Sequence, residues 1–455
     1  MNPAAAAATS GPSIGTPVWA VIPFVVYLLS MALLPLFLPH WWESNRNKLV
    51  FALAAGAPVT AYLLAGHHDG AHLLLHTTAD YFSFIALLGA LFTISGGVYV
   101  RGTLIGTPLV NTALMSIGAV LASFVGTTGA SALMIRPLLR ANRGRRRATH
   151  LVVFFIFIVS NGAGLLTPLG DPPLFLGFLR GVPFTWTLRL MPMWLLVNGT
   201  LLTLFAAFDW ASTIRERRER GGPAAPPQQP AATEKLKLEG TLNFLWLAGV
   251  VGVVLLTGTV GSHFLPNAAL RSVVQGLMMV ALAFASSRTT SREVRTLNHF
   301  SWAPIVEVAV VFLGVFVTMI PALGFLEERG SSLGISRPWQ FFWISGALSS
   351  VLDNAPTYLT SASVATGLVD GGAGALSAND LGALAAHPVG QELLAAVSAG
   401  AVLMGAVTYI GNGPNFMVKA IAEQHGVRMP SFFGYIAWSG CILLPLFLLV
   451  SRLMF

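Results

Sequence analysis

Charge is what this chain has least of. Only 10% of its 455 residues are Asp, Glu, Lys or Arg, against about 25% in soluble domains, which excludes a water-soluble fold. Cysteine is nearly absent: Cys441 stands alone in an apolar run, so neither an internal disulfide nor the usual structural zinc site can form. There is no Walker A loop to support ATP drive and no recognisable catalytic constellation, so the chain is not read as an enzyme. The first 17 residues contain no Lys or Arg. They lack the basic flank of a signal peptide and are expected to be retained as a tail, 1–17.

What is present is apolar. Hydrophobic residues make up 55% of the chain and the mean hydropathy is +0.71. Many stretches are about 20 residues long, enough to cross a hydrocarbon core of about 30 Å. Spans are expected at 18–38, 48–66, 81–100, 150–170 and 190–208, then at 241–260, 270–286, 304–326, 392–422 and 432–449. Two longer apolar segments lie at 108–139 and 339–365. The formal charge of +8 comes from Arg in short loops between spans. That pattern sets orientation in a bilayer and implies no nucleic-acid partner.

Sidedness decides how the two long segments run. The basic loops 46–48, 136–147, 215–237 and 288–295, with weaker ones at Arg101 and 419–428, share one face only if both segments dip in and return. The expected fold is an all-α polytopic membrane protein. It is an inverted repeat of about five transmembrane helices plus one re-entrant hairpin per half, with broken helices at the midplane. The first repeat is placed at 18–213 (hairpin 108–140, broken helix 148–180) and the second at 241–455 (hairpin 338–366, broken helix 391–424). Between them lies a hydrophilic cytoplasmic linker, 214–240. Both termini then fall outside the cytoplasm. Three pairings support the repeat: Gly89–Thr93 with Gly314–Thr318, Thr127-Thr128 with Asp353-Asn354, and Asn161-Gly162 with Asn412-Gly413.

The breaks carry the chemistry. Ser160-Asn161-Gly162-Ala163-Gly164, followed by Thr167-Pro168-Leu169-Gly170-Asp171, interrupts one apolar run, and Gly411-Asn412-Gly413-Pro414-Asn415 interrupts another. Gly and Pro free backbone groups that hydrocarbon cannot satisfy, so breaks survive only where they line a cavity or pack against protein. Matched breaks in two halves point to a secondary transporter's substrate site. The hairpin tips add Thr127, Thr128, Asp353 and Asn354. Asp171, Glu307 and Asp353 sit at membrane depth, where acids mark ion pathways. A blander reading stays open for each: Asp171 and Asp353 as helix caps, Glu307 as a snorkelling interfacial residue. His68, His72 and His76 recur at one helical face beside Asp69 and Asp80, within the stretch 67–76. They read as an exposed interhelical segment, with a metal site or pH sensor as the alternative. The 136–147 arginine cluster reads as a topology determinant in contact with lipid headgroups.

At these motifs the chain resembles the ion-transporter superfamily. Ser160-Asn-Gly-Ala-Gly-Leu-Leu-Thr-Pro-Leu-Gly-Asp171 and Asp353-Asn-Ala-Pro356 are similar to the NhaD-type sodium/proton antiporters. The segment Thr128–Asn142 and Gly170-Asp-Pro-Pro-Leu-Phe-Leu-Gly177 are similar to a citrate-transporter-like (CitMHS-like) subgroup. The resemblance implies inverted repeats, two re-entrant hairpins, homodimers and an elevator-like alternating access in dicarboxylate-carrying members. It implies an ion-binding set of Asn161, Thr167, Asp171, Asp353, Asn354 and Asn412. Thr127, Thr128 and Asn415 complete the expected shell, with Glu307 on the access path. The expected function is Na⁺ (or Li⁺)/H⁺ antiport across the inner membrane. Asp353 and Asp171 would hold the transported Na⁺, and no cofactor or partner is needed beyond the bilayer and the ion. The alternative is a Na⁺- or H⁺-coupled carrier of citrate, another carboxylate or an arsenite-type anion.

Overall fold

The computed structural model describes residues 16–66, 69–219, 235–259, 264–265, 267–371, 376–377 and 380–455. In the first half, α1 (Ile22–Phe37), α2 (Pro39–Trp42), α3 (Asn45–Gly66) and α4 (Gly70–Ser95) precede a pair, α5 (Pro108–Val125) and α6 (Thr127–Ala141). Next come a broken pair, α7 (Thr149–Ile158) and α8 (Pro172–Leu179), and the long α9 (Met191–Glu219). The second half repeats the order. It has α10 (Leu242–Thr259), α11 (Ala268–Thr289), a short α12 (Arg292–Leu297) and α13 (Ala303–Arg329). The pair α14 (Pro338–Val351) and α15 (Asn354–Asp370) follows, then short α16 (Leu381–Ala386), the broken pair α17 (Pro388–Met404) and α18 (Gly413–Gln424), and α19 (Phe432–Met454). Among the described residues, ten helices are long and apolar enough to cross a membrane. The chain is an all-α polytopic membrane protein.

Contacts at their open ends show that both pairs are hairpins, with hydrogen bonds closing the first. The Gly106 N–H donates to the Ala141 carbonyl (2.7 Å), and Asn111 and Asn142 exchange amide bonds of 3.0 and 2.7 Å. The chain therefore enters α5 and leaves α6 on one side. Their joint is the single residue Gly126, whose φ of 79° is a left-handed value that strains any residue with a Cβ. In the second pair, Gly330, on the approach to α14, packs against Val364, Gly367 and Leu368 near the end of α15, so that hairpin also enters and leaves on one side.

The hairpins open at opposite ends of α9. Asn111 reaches Asp209, near the C-terminal end of α9 (2.8 Å). Pro338 shares a cleft with Arg189 and Pro192, at its start. The 29 residues of α9 span about 43 Å at 1.5 Å per residue. The two hairpins thus dip in from opposite faces, which is the inverted arrangement.

Basic residues collect at the α5–α6 end. There Arg145 meets Asp209 (2.5 Å), Arg101 meets Glu239 and Glu293 (2.9 Å each) and Arg147 meets Glu219 (2.7 Å). The other end holds Thr16, whose N–H donates to Glu328 (3.3 Å), and Phe455, in the Arg189 cleft.

Three segments differ from expectation. α9 runs on to Glu219, beyond the residue 214 at which the linker is expected to begin, because its last turns are held by Arg145 and Arg147. The far end of that linker forms a strand, Lys237–Glu239, paired antiparallel with Tyr99–Arg101. His72 and His76 lie on α4 itself, and His76 faces Asp80 (3.3 Å), which accepts from Ser272 (3.0 Å). His67 and His68 fall outside the described residues. Among the described residues no group of three His, Cys, Asp or Glu is placed to hold a metal ion.

Candidate ion-binding site

Four helices begin at one place. α6 starts at Thr127, α15 at Asn354, α8 just after Asp171 and α18 just after Asn412. Each brings the positive end of its dipole, although α8 has no free N–H in its first turn: Pro172 and Pro173 lack one, and those of Leu174 and Phe175 bond the Asp171 carbonyl. Pro172, Pro173 and Pro414 fit the first turns because those positions have no intrahelical acceptor.

Asp171 stands where they meet, 2% exposed. It occupies the N-cap position of α8, yet its side chain makes no cap hydrogen bond. The carboxylate instead points across to the other helix starts. Oδ1 accepts from the Thr127 hydroxyl (2.8 Å) and, at 3.4 Å, from Asn412. Oδ2 accepts from Asn354 Nδ2. No Lys or Arg is among these partners. The oxygen of the Asn354 amide, Oδ1, is buried without a partner, in a residue only 1% exposed.

Asp353 takes a different part. It is half-buried, and its side chain caps α15 by accepting from the Ala355 N–H (3.1 Å). Of the two acids, Asp353 bonds the start of its own helix, whereas Asp171 bonds side chains from the starts of three others.

The remaining asparagines splint the breaks. Asn412 also donates to the Ser160 carbonyl (3.1 Å) and to Asn161 Oδ1 (3.2 Å). Asn161 donates to the Ile156 carbonyl (2.9 Å) and to Asn415 Oδ1 (2.7 Å). Asn415 donates to the carbonyls of Gly405 (2.8 Å) and Thr408 (3.0 Å). These amides satisfy carbonyls released where the helices unwind, as buried polar groups require.

Thr167 is a splint too. Its hydroxyl donates to the Ser123 carbonyl and accepts from the Leu169 N–H (3.2 Å). Thr408 makes the same two contacts in the other half, donating to Ser350 (2.5 Å) and accepting from Ile410 (3.2 Å).

That match corrects the internal alignment. Thr167-Pro-Leu-Gly-Asp171 corresponds to Thr408-Tyr-Ile-Gly-Asn412, so Asn412 is the counterpart of Asp171 and not of Asn161. Thr127 corresponds to Asn354, since each is the first residue of the returning hairpin helix and each holds one oxygen of Asp171. Thr408 is the functional residue that motif reading overlooked. Its signal was the shared Thr-x-x-Gly spacing before an Asp or Asn.

A narrow cleft leads to the centre. Thr127, Thr128, Asp171 and Phe175 form one wall; Leu87, Leu91 and Phe92 of α4 and Ile305 and Val308 of α13 form the other. It holds about 50 Å³ and no basic side chain lines it. Glu307 lies off this path, turned to Lys48 at 2.5 Å. Lys48 is 3% exposed, so Glu307 supplies a buried cation with its counter-charge.

With this geometry in place, comparison gives the chain its family. It matches the family described as putative citrate transport over residues 13–455 and belongs to that family. Among curated proteins none matches the chain. The match names the citrate-transporter-like subgroup and not the sodium/proton antiporter branch. The chain is a multi-pass membrane protein and a secondary transporter.

Proposed function

We propose that this member of the putative citrate transport family exchanges a proton for Na⁺ or Li⁺ at Asp171. The observation that carries the reading is a buried carboxylate whose partners are all neutral oxygen- and nitrogen-bearing side chains. An ionised acid at membrane depth with no cationic partner is costly. A proton or a cargo cation balances it, and one carboxylate cannot hold both at once. Exclusive occupancy of this kind is sufficient for exchange.

The surroundings suit both states. Asn354 donates through Nδ2 to the ionised carboxylate. Turned over, its unpartnered Oδ1 accepts from the protonated one. Oxygens of Thr127, Asn354 and Asn412 are the hard ligands that an alkali cation prefers, as oxygen donors suit hard cations generally. Room of about 50 Å³ suits a small ion or a few waters, each needing roughly 10–15 Å³. The two faces of the inverted repeat would reach Asp171 in turn.

One observation favours a second reading. Four positive helix ends converge at the site, and such ends bind anionic groups. A carboxylate such as citrate would sit against them, with a proton or Na⁺ on Asp171 as the coupling ion.

Proteoliposomes holding a pH-sensitive dye and an imposed gradient separate the two. Dye recovery on adding Na⁺ or Li⁺ with an impermeant anion, lost in Asp171→Asn, supports exchange. Silence to Na⁺, Li⁺ and K⁺ with proton movement on adding citrate assigns the site to the anion carrier.

A further inference from the structure

A second cleft, remote from Asp171, lies at the basic face. It holds about 600 Å³ between the start of α7, the last turns of α9 and Trp438 of α19. Arg146, Arg147 and Arg215 line its rim, and no acidic side chain lines it. Arg147 is engaged by Glu219. Arg146 and Arg215 have no acidic partner among the described residues. Ser212, also on the rim, has a buried hydroxyl without a partner. The ten-residue α7 begins here at Thr149, so the positive end of a helix faces the same space. Arg146, Arg215 and the start of α7 thus direct positive charge into one space.

The floor identifies the kind of anion. Ala207, Phe208 and Ala211 of α9 and Trp438 form an apolar wall, with the Phe208 and Trp438 rings 6.1 Å apart. Phe208 is 43% exposed, so this wall offers apolar surface to an acyl chain. Arginines above and aromatic surface below match a phosphate with acyl chains hanging from it. A free oxyanion would use the rim alone. We propose that this cleft binds the headgroup phosphate of an anionic phospholipid, in the way basic pockets between transmembrane helices do.

The site abuts a structural node. His150 lines the cleft and bonds Asp209 through Nε2 (2.9 Å). Asp209 also accepts from Arg145 and from Asn111, at the open end of the α5–α6 hairpin. A bound lipid therefore steadies the anchorage of that hairpin from the membrane side.

The test titrates the purified full chain in mild detergent with dioleoyl phosphatidylglycerol and, separately, dioleoyl phosphatidylcholine. Native mass spectrometry counts the lipids retained per chain. Phosphatidylglycerol should be retained in preference, and Arg146→Gln with Arg215→Gln should weaken that binding about thirtyfold. Arg288→Gln should not, because that arginine stacks on Phe284, away from the cleft. Both rim arginines are exposed, so an unchanged melting temperature will show that the double variant folds. Equal retention of the two lipids, or unchanged binding in the double variant, would overturn the proposal. Full displacement of phosphatidylglycerol by millimolar inorganic phosphate would overturn it too, making the cleft a free-oxyanion site.

Discussion

Replacing one atom of Asp171 separates its charge from its hydrogen bonds. In Asp171→Asn the retained Oδ1 still accepts from Thr127 and Asn412, which now bond it at 2.8 and 3.4 Å. The new Nδ2 faces the Asn354 amide, whose Oδ1 has no partner and turns over to accept. The Thr127 and Asn412 donors keep their acceptor and only the turned Asn354 Nδ2 gives its acceptor up, so stability should fall by about 1–3 kcal/mol, the cost of one buried unpaired group. Asp171→Ala differs, because it strands the Thr127 and Asn354 donors and empties the space of the carboxylate, while Asn412 keeps Ser160 and Asn161. Each buried unpaired group costs about 1–3 kcal/mol, and two together with the cavity left behind consume much of a total stability of about 5–15 kcal/mol. The alanine variant should melt far lower or fail to accumulate. The asparagine variant should melt closer to the parent than to the alanine variant, yet its ion-driven dye response should fall to that of empty liposomes. Thermal melts in detergent and dye recovery in liposomes read the two effects separately. Ion-coupled proton movement in Asp171→Asn at more than a few per cent of the parent rate would refute the assignment. A melting loss as large as that of Asp171→Ala would refute the hydrogen-bond reasoning.

Other substitutions probe the neighbouring parts. Asp353→Asn keeps a good capping side chain and should preserve transport within a few fold, while Asp353→Ala should cost about 1 kcal/mol in a melt; abolished transport in Asp353→Asn would return that acid to the centre. Glu307→Ala leaves Lys48 buried without its counter-charge and should destabilise by about 1–3 kcal/mol. Lys48→Met in the same chain should recover most of that loss, and no recovery would exclude the pair as the cause. Gly170→Ala would drive a Cβ into the Gly164 carbonyl oxygen, well inside contact distance. Backbone blocks it there and no flexible side chain can give way, so a loss of about 3 kcal/mol and poor accumulation in the membrane are expected. A parent-like melt would contradict the close approach of Gly164 and Gly170 on which the break depends.

The sequence made the membrane class and the hairpins legible because both follow from simple physics. Sparse charge and apolar runs of span length exclude water, and one-sided arginines require segments such as 108–139 to turn back. The breaks were legible as well, since Gly and Pro at Asn161-Gly162 and Gly413-Pro414 cannot continue a helix. Roles within the breaks were less so. Matching on Asn-Gly paired Asn161 with Asn412, but residue identity is a poor guide where position relative to a helix start decides function. Asn161 follows the end of α7 and bonds released carbonyls, whereas Asn412 precedes the start of α18 and faces the carboxylate. Asp171 and Asp353 are alike in sequence terms, each an acid before a helix containing an early Pro. Only side-chain direction separates them, and that depends on which helices converge.

The corrected alignment explains why a single acid is enough. The repeat places equivalent positions, Asp171 and Asn412, at the starts of α8 and α18, and equivalent Thr127 and Asn354 at the starts of α6 and α15. Had both halves carried an acid, two carboxylates would share one buried site, and mutual repulsion would force one to stay protonated. Had both carried an amide, nothing there would hold an exchangeable proton. Asp171 with Asn412 leaves one charge among four positive helix ends, bonded by the returning helix of each hairpin: Thr127 from one and Asn354 from the other. Those hairpins enter from opposite faces. On the proposed exchange, withdrawing either one would remove one hydrogen bond from the carboxylate and leave the other hairpin's bond in place. Near-symmetry would then supply two equivalent gates, and the one broken position would supply the charge that both guard.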